Sequence, residues 1–378
     1  MRRNLISLFM LLAVSTQMLV FGRCDERTGD SPSSETIRQW TVDLDSNSFR
    51  IRTLATRRLI GAGRLAADPV GRAIQHGGTE VRERGFLILR RLIKSDNLDA
   101  STEAERVLDT LSKADSAPVA VRSAKIVADF HRDQLRLTIL EIQKLGGQVS
   151  VRSGKADRVH IRKNWKGGDD GLKLLRRLPD VTWLSLEDSQ VTDAGLIHIA
   201  ELKNLKYIYF GHSRVKGPGL VHLKQLKNLY HLSLRYMPVE DQWLRHVGEM
   251  SQIQSLGLDD TPVTDDSLLL LEKMTNLKAL WLDRSKVSSE GLARLKPFVK
   301  IEKLDLDGLT FDASDLKHLE SLPKLATLYL NDMPLTDADL VHLEPIETLQ
   351  RLYLSGTKVT AAGVARFKQA MPKVKVSR

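Results

Sequence analysis

An α/β solenoid, in which short parallel strands are backed by helices, preceded by an all-α region, is the fold class predicted by three observations. From residue 181 onward aliphatic triplets recur every 24 residues; behind each triplet lies a stretch with helical spacing; and residues 35 to 145 carry helical periodicity with few strand signals. The chain has 378 residues, 42% apolar and 28% charged, which is ordinary globular composition and long enough for two domains.

The first residues depart from that average. Arg2 and Arg3 precede an apolar run from Leu5 to Phe21, broken only by Ser7, Ser15, Thr16 and Gln17, so residues 1–24 read as an export leader outside the fold. Val20 and Gly22 suit the minus-three and minus-one positions of a cleavage site. Alternatively Cys24, the only cysteine, stands where a bacterial lipoprotein carries its lipid, although Arg23 occupies a place that favours a small residue. An uncleaved anchor is the third option, the run being a little shorter than the roughly 20 residues of a typical span. The expected location is the periplasm, cell envelope or extracellular space, with membrane contact only through the leader or its lipid. A lone cysteine excludes an intramolecular disulfide framework, which leaves buried apolar area to stabilise the fold.

Residues 25–34 form a linker and 35–147 the helical region. In "SFRIRTLATRRLIGAG", Phe49, Ile51, Leu54, Leu59 and Ile60 fall on a broad apolar stripe, with Ser46, Asn47 and Ser48 as candidate N-caps and Gly61 and Gly63 as stop signals. "TEVRERGFLILRRLIKS" and "APVAVRSAKIVADFHRDQLRLTILEIQKLGG" repeat the scheme. The pairs Ile51-Arg52, Val81-Arg82 and Val121-Arg122, each an aliphatic residue followed by Arg, resemble the second helix of HEAT-type repeats. That resemblance implies a curved array of helix pairs that binds other proteins; a plain helical bundle is the rival reading. "GAGRLA" matches a loose dinucleotide fingerprint, but a helical stretch precedes it where the motif needs a strand, so its glycines mark a break between helices.

Residues 148–180 hold a degenerate first unit, which keeps Leu172 in phase with Leu196 but shifts its strand residues by one, as an N-terminal cap. Eight units fill 181–371, with inward pairs at Leu184/Leu186, Ile208/Phe210, Leu232/Leu234, Leu256/Leu258, Leu280/Leu282, Leu304/Leu306, Leu328/Leu330 and Leu352/Leu354. Thr192, Thr264, Ser288, Asp312, Thr336 and Thr360 share a register suited to capping the helix that follows. Residues 372–378 form a truncated closing strand. The "LxxLxL" spacing resembles leucine-rich repeats of the ribonuclease-inhibitor-like and cysteine-containing subclasses, and most closely the "VTDAGL" repeats of exported bacterial proteins. Where many such repeats place Asn or Cys after the strand, this chain has Ser189, Ser213, Met237, Thr261, Ser285, Leu309, Met333 and Thr357, so no continuous asparagine ladder is expected there.

The resemblance implies macromolecular recognition, and the variable letters suggest where. Residues flanking the inward leucines face the concave side, and the candidate binding set among them is Trp183, Tyr207, Tyr209, Arg235, Asp259, Trp281, Asp283, Asp305, Asp307, Tyr329, Asn331, Arg351 and Tyr353. The acidic members suit a protein or peptide with a basic segment; the aromatic ones also suit stacking on sugar rings. Asp259 with Asp260, and Glu187 with Asp188, read as solvated strand-end residues. The net charge of +10 is concentrated, apart from the leader, in residues 152–177, where nine basic residues face three acidic ones. Without interleaved aromatics that stretch reads as a solvated face, which disfavours nucleic acid.

His198, His222 and His246 share a register, but helices on the convex side of a horseshoe splay apart, so they read as packing residues and no metal or other cofactor is expected. No "GxSxG", P-loop, "HExxH" or cysteine nucleophile motif is present, so the expectation is a non-enzymatic interaction module. Two alternatives stand beside it: a substrate-recognition adaptor like the F-box leucine-rich-repeat proteins of ubiquitin ligases, and a cell-wall glycan binder.

Overall fold

The computed structural model describes residues 31–378, which form two units, one ending at Asp133 and the other running from Gln134 to Arg378. The leader and Cys24 lie outside the described residues. In the first unit the helices α1 (Ser34–Val42), α2 (Phe49–Gly61), α3 (Arg64–His76), α4 (Thr79–Ile93) and α5 (Leu98–Leu111) pack around Leu44, Leu59, Ile74, Ile88, Leu89 and Leu108. A sixth helix, α6 (Ala117–Lys144), contributes residues to both units. The break at "GAG" is real: Gly63 takes φ 58° and α3 begins one residue later.

The stripe expected on α2 is shifted. Ala55, Thr56 and Leu59 are its buried face, whereas Phe49, Ile51 and Leu54 are exposed, Phe49 lying under the guanidiniums of Arg52 and Arg84. Nor do the three aliphatic-Arg pairs play one role, since Val81 is buried while Ile51 and Val121 face solvent.

The second unit carries one sheet of eleven strands in chain order: β1 (Gln148–Arg152), β2 (Lys155–His160), β3 (Trp183–Ser185), β4 (Tyr207–Tyr209), β5 (His231–Ser233), β6 (Ser255–Gly257), β7 (Ala279–Trp281), β8 (Lys303–Asp305), β9 (Thr327–Tyr329), β10 (Arg351–Tyr353) and β11 (Lys375–Ser377). β1 and β2 are an antiparallel hairpin and every later pairing is parallel. Leu184, Ile208, Leu232, Leu256, Leu280, Leu304, Leu328 and Leu352 pair along one column and are fully buried, the one-dimensional core of a leucine-rich-repeat solenoid. Val159 pairs with Leu184, so the first unit is one residue longer than the rest.

Three of the eight segments opposite the strands, Pro218–Gln225, Ala313–Ser321 and Asp339–Leu343, are 3-10 rather than α. Core residues three apart, such as Leu220, Leu223 and Leu226, do not set them apart, since Leu244, Val247 and Met250 stand at the same spacing behind an α-helical segment. Thr192, Thr264, Ser288, Asp312 and Thr360 cap their segments, accepting from a backbone N–H two or three residues on. Thr336 does not: its N–H and hydroxyl both donate to Asp339 Oδ2.

An aspartate joins four of these five caps to the preceding repeat, and at the fifth the Asp312 N–H donates to Ser289 Oγ instead. Asp169 accepts from the N–H and hydroxyl of Thr192 at 2.8 and 2.6 Å, and Asp265 does the same for Ser288 at 2.8 and 2.6 Å. Asp241 and Asp337 repeat the arrangement on Thr264 and Thr360. The glycine of "VTDAGL" leaves room for that carboxylate, since a Cβ on Gly195 would stand 2.6 Å from Asp169 Oδ1. A second tie precedes the strands, where Asn204, Asn228 and Asn276 each donate to a carbonyl of the preceding repeat at 2.8–3.0 Å.

Candidate functional site

Each strand contributes two residues to the concave face, and the residue two past the second adds a third, so the parallel register sorts these side chains into three rows. At the strand starts stand Trp183, Tyr207 and His231, then Ser255, Ala279, Lys303, Thr327 and Arg351. In the middle row lie Tyr209, Trp281, Asp305, Tyr329 and Tyr353. Past the strand ends come Glu187, Arg235, Asp259, Asp283, Asp307 and Asn331.

The aromatic residues are half-buried against one another. Trp183 and Tyr209 have centroids 5.2 Å apart, Tyr209 and His231 4.8 Å, and His231 meets Trp281 edge-on at 6.2 Å. His231 Nδ1 sits 2.5 Å from Ser255 Oγ, and burial pushes its pKa down to about 4, so the ring is neutral. Tyr329 and Tyr353 stack at 4.4 Å with planes 8° apart. The expected aromatic anchors are therefore a continuous surface from β3 to β7 and a separate stacked pair on β9 and β10.

Between these groups lie carboxylates. Asp259 is 1% exposed and Asp283 8%, so reading Asp259 as a solvated strand-end residue is wrong. The turn that follows draws the chain inward: Asp188, His212, Tyr236, Asp260, Arg284 and Asp332 all take left-handed φ near 50–57°, and Gly308 and Gly356 occupy the same register. Each such turn lets its N–H reach the next repeat, as Asp260 does to the Asp283 carbonyl at 2.8 Å. Asp259 Oδ2 faces Arg235 Nε at 3.1 Å, and Arg284 Nη2 contacts Asp260 at 2.6 Å and Asp283 at 2.9 Å. Asp283 Oδ1 is buried and accepts no hydrogen bond. Asp307 accepts from the backbone and side-chain N–H of Asn331, both at 2.7 Å.

Burial and mutual repulsion leave Asp259, Asp283 and Asp305 hard to ionise. Burial, foremost, raises Asp305 to about 7 and Asp283 to about 6, and raises Asp259 as well, while the bidentate Arg284 guanidinium lowers Asp260. An external cation placed here would relieve that repulsion and meet the free lone pair of Asp283.

Of the residues singled out in sequence, Asp259, Trp281, Asp283, Asp305, Asp307, Tyr329 and Asn331 fall on the adjacent strands β6 to β9 or just past their ends. Trp183, Tyr207 and Tyr209 form the aromatic end, Arg235 is tied to Asp259, and Arg351 and Tyr353 lie on β10. Asp260, Arg284 and His231 complete the site and were not in that set. The period carried a signal for the first two, because they share the register at which Gly308 and Gly356 reveal a left-handed turn. Among the described residues no group of three or more His, Cys, Asp or Glu is placed to hold a metal ion, and no helix is long and apolar enough to cross a membrane.

No family model matches the chain, and no curated protein does. Among solved structures it is similar to an internalin of Listeria monocytogenes, with 20% identity over 54% of this chain and 69% of that one and a TM-score of 0.39. A leucine-rich-repeat protein of Leptospira interrogans shares 17% identity over 55% of this chain and 62% of its own, with a TM-score of 0.35. The plant peptide hormone receptor RGFR1 in complex with RGF2 shares 15% over 61% and 36%, with a TM-score of 0.36.

Proposed function

We propose that the solenoid is a non-enzymatic protein-binding module of an exported protein, whose concave face takes a basic segment of a partner protein between Trp281 and the Asp259, Asp283, Asp305 and Asp307 group. One observation carries this reading: carboxylates crowded on an open sheet, Asp283 among them with a buried oxygen that accepts no hydrogen bond, lie beside a large aromatic ring, and burial raises Asp305 and Asp283 above the usual carboxylate range. Such a site costs folding energy unless a cation completes it. A Lys or Arg side chain could meet the carboxylates with its head and the Trp281 ring with its stem or charge.

The test is crosslinking from a photoreactive residue at Tyr329, with capture compared between the native chain and the variant carrying Trp281→Ala, Asp283→Asn and Asp305→Asn. Loss of the captured species, with circular dichroism unchanged, is expected. Retention of every captured partner by the triple variant overturns the concave-face reading.

A further inference from the structure

The three rows of the concave face differ in charge from one edge to the other. Over β8 to β10 the strand-start edge is basic: Lys303 and Arg351 are exposed and, with Lys324, line a cleft of about 490 Å³ whose only acidic lining residue is Glu302. Among the described residues none of these three cations forms an ion pair. The opposite edge is acidic, with Asp259, Asp260, Asp283 and Asp307 beyond the strand ends and Asp305 beside them; only Arg235 and Arg284 offset them. Trp281, Tyr329 and Tyr353 lie between. The two edges are separated by four residues along each strand, about 13 Å at ~3.3 Å per residue.

A segment bound along this floor crosses the strands of the sheet. If extended, its successive side chains alternate between its two sides every ~3.3 Å, so neighbouring residues face opposite edges. A uniformly basic segment would then place every second cation against Lys303, Lys324 and Arg351, a like-charge juxtaposition that costs affinity. A helix about 10 Å across would instead meet each edge with residues three and four apart, so its acids and bases would segregate on opposite faces and would not alternate along the sequence.

We infer that the partner segment is extended and alternates in charge, its acidic side chains pointing to Lys303, Lys324 and Arg351 and its basic ones to Asp283, Asp305 and Asp307, with its backbone over Trp281 and Tyr329. This rests on the concave-face reading and narrows it from a basic segment to one in which acids and bases fall at odd separations. The transverse charge gradient also sets direction: turning the segment over by one residue exchanges the two sets and repels both.

The probe is a phage-displayed library of random twelve-residue peptides selected on the full chain. Recovered peptides should pair Asp or Glu with Lys or Arg at separations of one, three or five residues at least threefold more often than at two or four. A synthetic peptide of that set should lose at least tenfold in affinity when two adjacent charged residues are exchanged, leaving its composition unchanged. In the variant Lys303→Glu, Arg351→Glu, which alters only exposed strand-start side chains, selection should shift to basic residues at both parities. Basic peptides without the odd-separation bias, or an unchanged preference in the charge-reversed variant, overturn the alternation and leave the concave-face reading intact. Peptides without charge bias, bound equally well after Asp283→Asn and Asp305→Asn, overturn both.

Discussion

At the scale of single residues, Asp305 shows how a binding site can oppose the fold. Its carboxyl is raised to about 7, burial being the main cause, against ~3.9 in an unfolded chain. The folded state therefore holds a proton that the unfolded state has released between those values, so stability falls as pH rises from about 4 to about 7 and is level above. Asp305→Asn, which keeps an acceptor for the Asp307 N–H now bound at 3.0 Å, should stabilise the protein by on the order of 1 kcal/mol at pH 8. It should do little at pH 4.5. Thermal unfolding at the two pH values checks this, and an equal gain at both would refute it. A bound cation restores the charge, so affinity for a Lys-containing peptide should rise from pH 5.5 to pH 8, with proton release measurable by calorimetry in buffers of different ionisation enthalpy. The positions of these residues were legible from the 24-residue register. Their chemistry was not, because the burial of Asp259 and Asp283 depends on the side chains stacked beside them from neighbouring repeats, such as Arg235 and Arg284, which sequence register alone does not bring into contact.

At the scale of the element, the phrase "VTDAGL" divides its labour among three residues. Threonine caps its own segment, aspartate reaches forward to the start of the next one, and glycine makes space for the aspartate of the repeat before. Only the first role could be read from spacing, since a cap is a local event. The second is a contact between residues 23 apart, seen once the repeats are stacked. Thr336 shows the limit of the local rule, because Asp339 lies three residues on and takes both of its donors. Asp265→Ala removes acceptors from the N–H and hydroxyl of Ser288 and should cost about 1–2 kcal/mol. Urea titration should show a lowered midpoint with an unchanged slope; an unshifted midpoint would mean that water replaces the carboxylate without loss. On the helical side, size alone does not mark the buried face of α2, since Ala55, Thr56 and Leu59 are buried while the large Phe49, Ile51 and Leu54 face solvent.

At the scale of the molecule, the second unit is a stack in which each repeat touches its neighbours, so stability is transmitted along it and not shared evenly. The N-terminal end of that stack is closed by Trp165, 5% exposed, whose indole N–H donates to the Gly168 carbonyl at 2.8 Å. Trp165→Ala should cost about 3–5 kcal/mol locally. Hydrogen exchange should quicken most in β2 and β3 and fade toward β9 and β10; uniform quickening would show that the stack melts as one body. The architecture of this unit was the most legible part of the sequence, because a fixed period repeats its evidence eight times. The helical unit, with no such repetition, left its arrangement open between two readings.

The recurring left-handed turn has a consequence for how such a chain can change length. Every repeat leaves its strand with the same backbone bend, so an unequal crossover that joins the end of Leu258 to the residue after Leu330 removes three whole repeats yet keeps every remaining turn and strand in register, with Thr336 brought to Asp241 in the place of Thr264. What would not survive is the order of the charged edges, since Trp281, Asp283, Asp305 and Asp307 would vanish together. Recombination at this period can therefore erase or duplicate the recognition surface as a single block while leaving a chain that still folds.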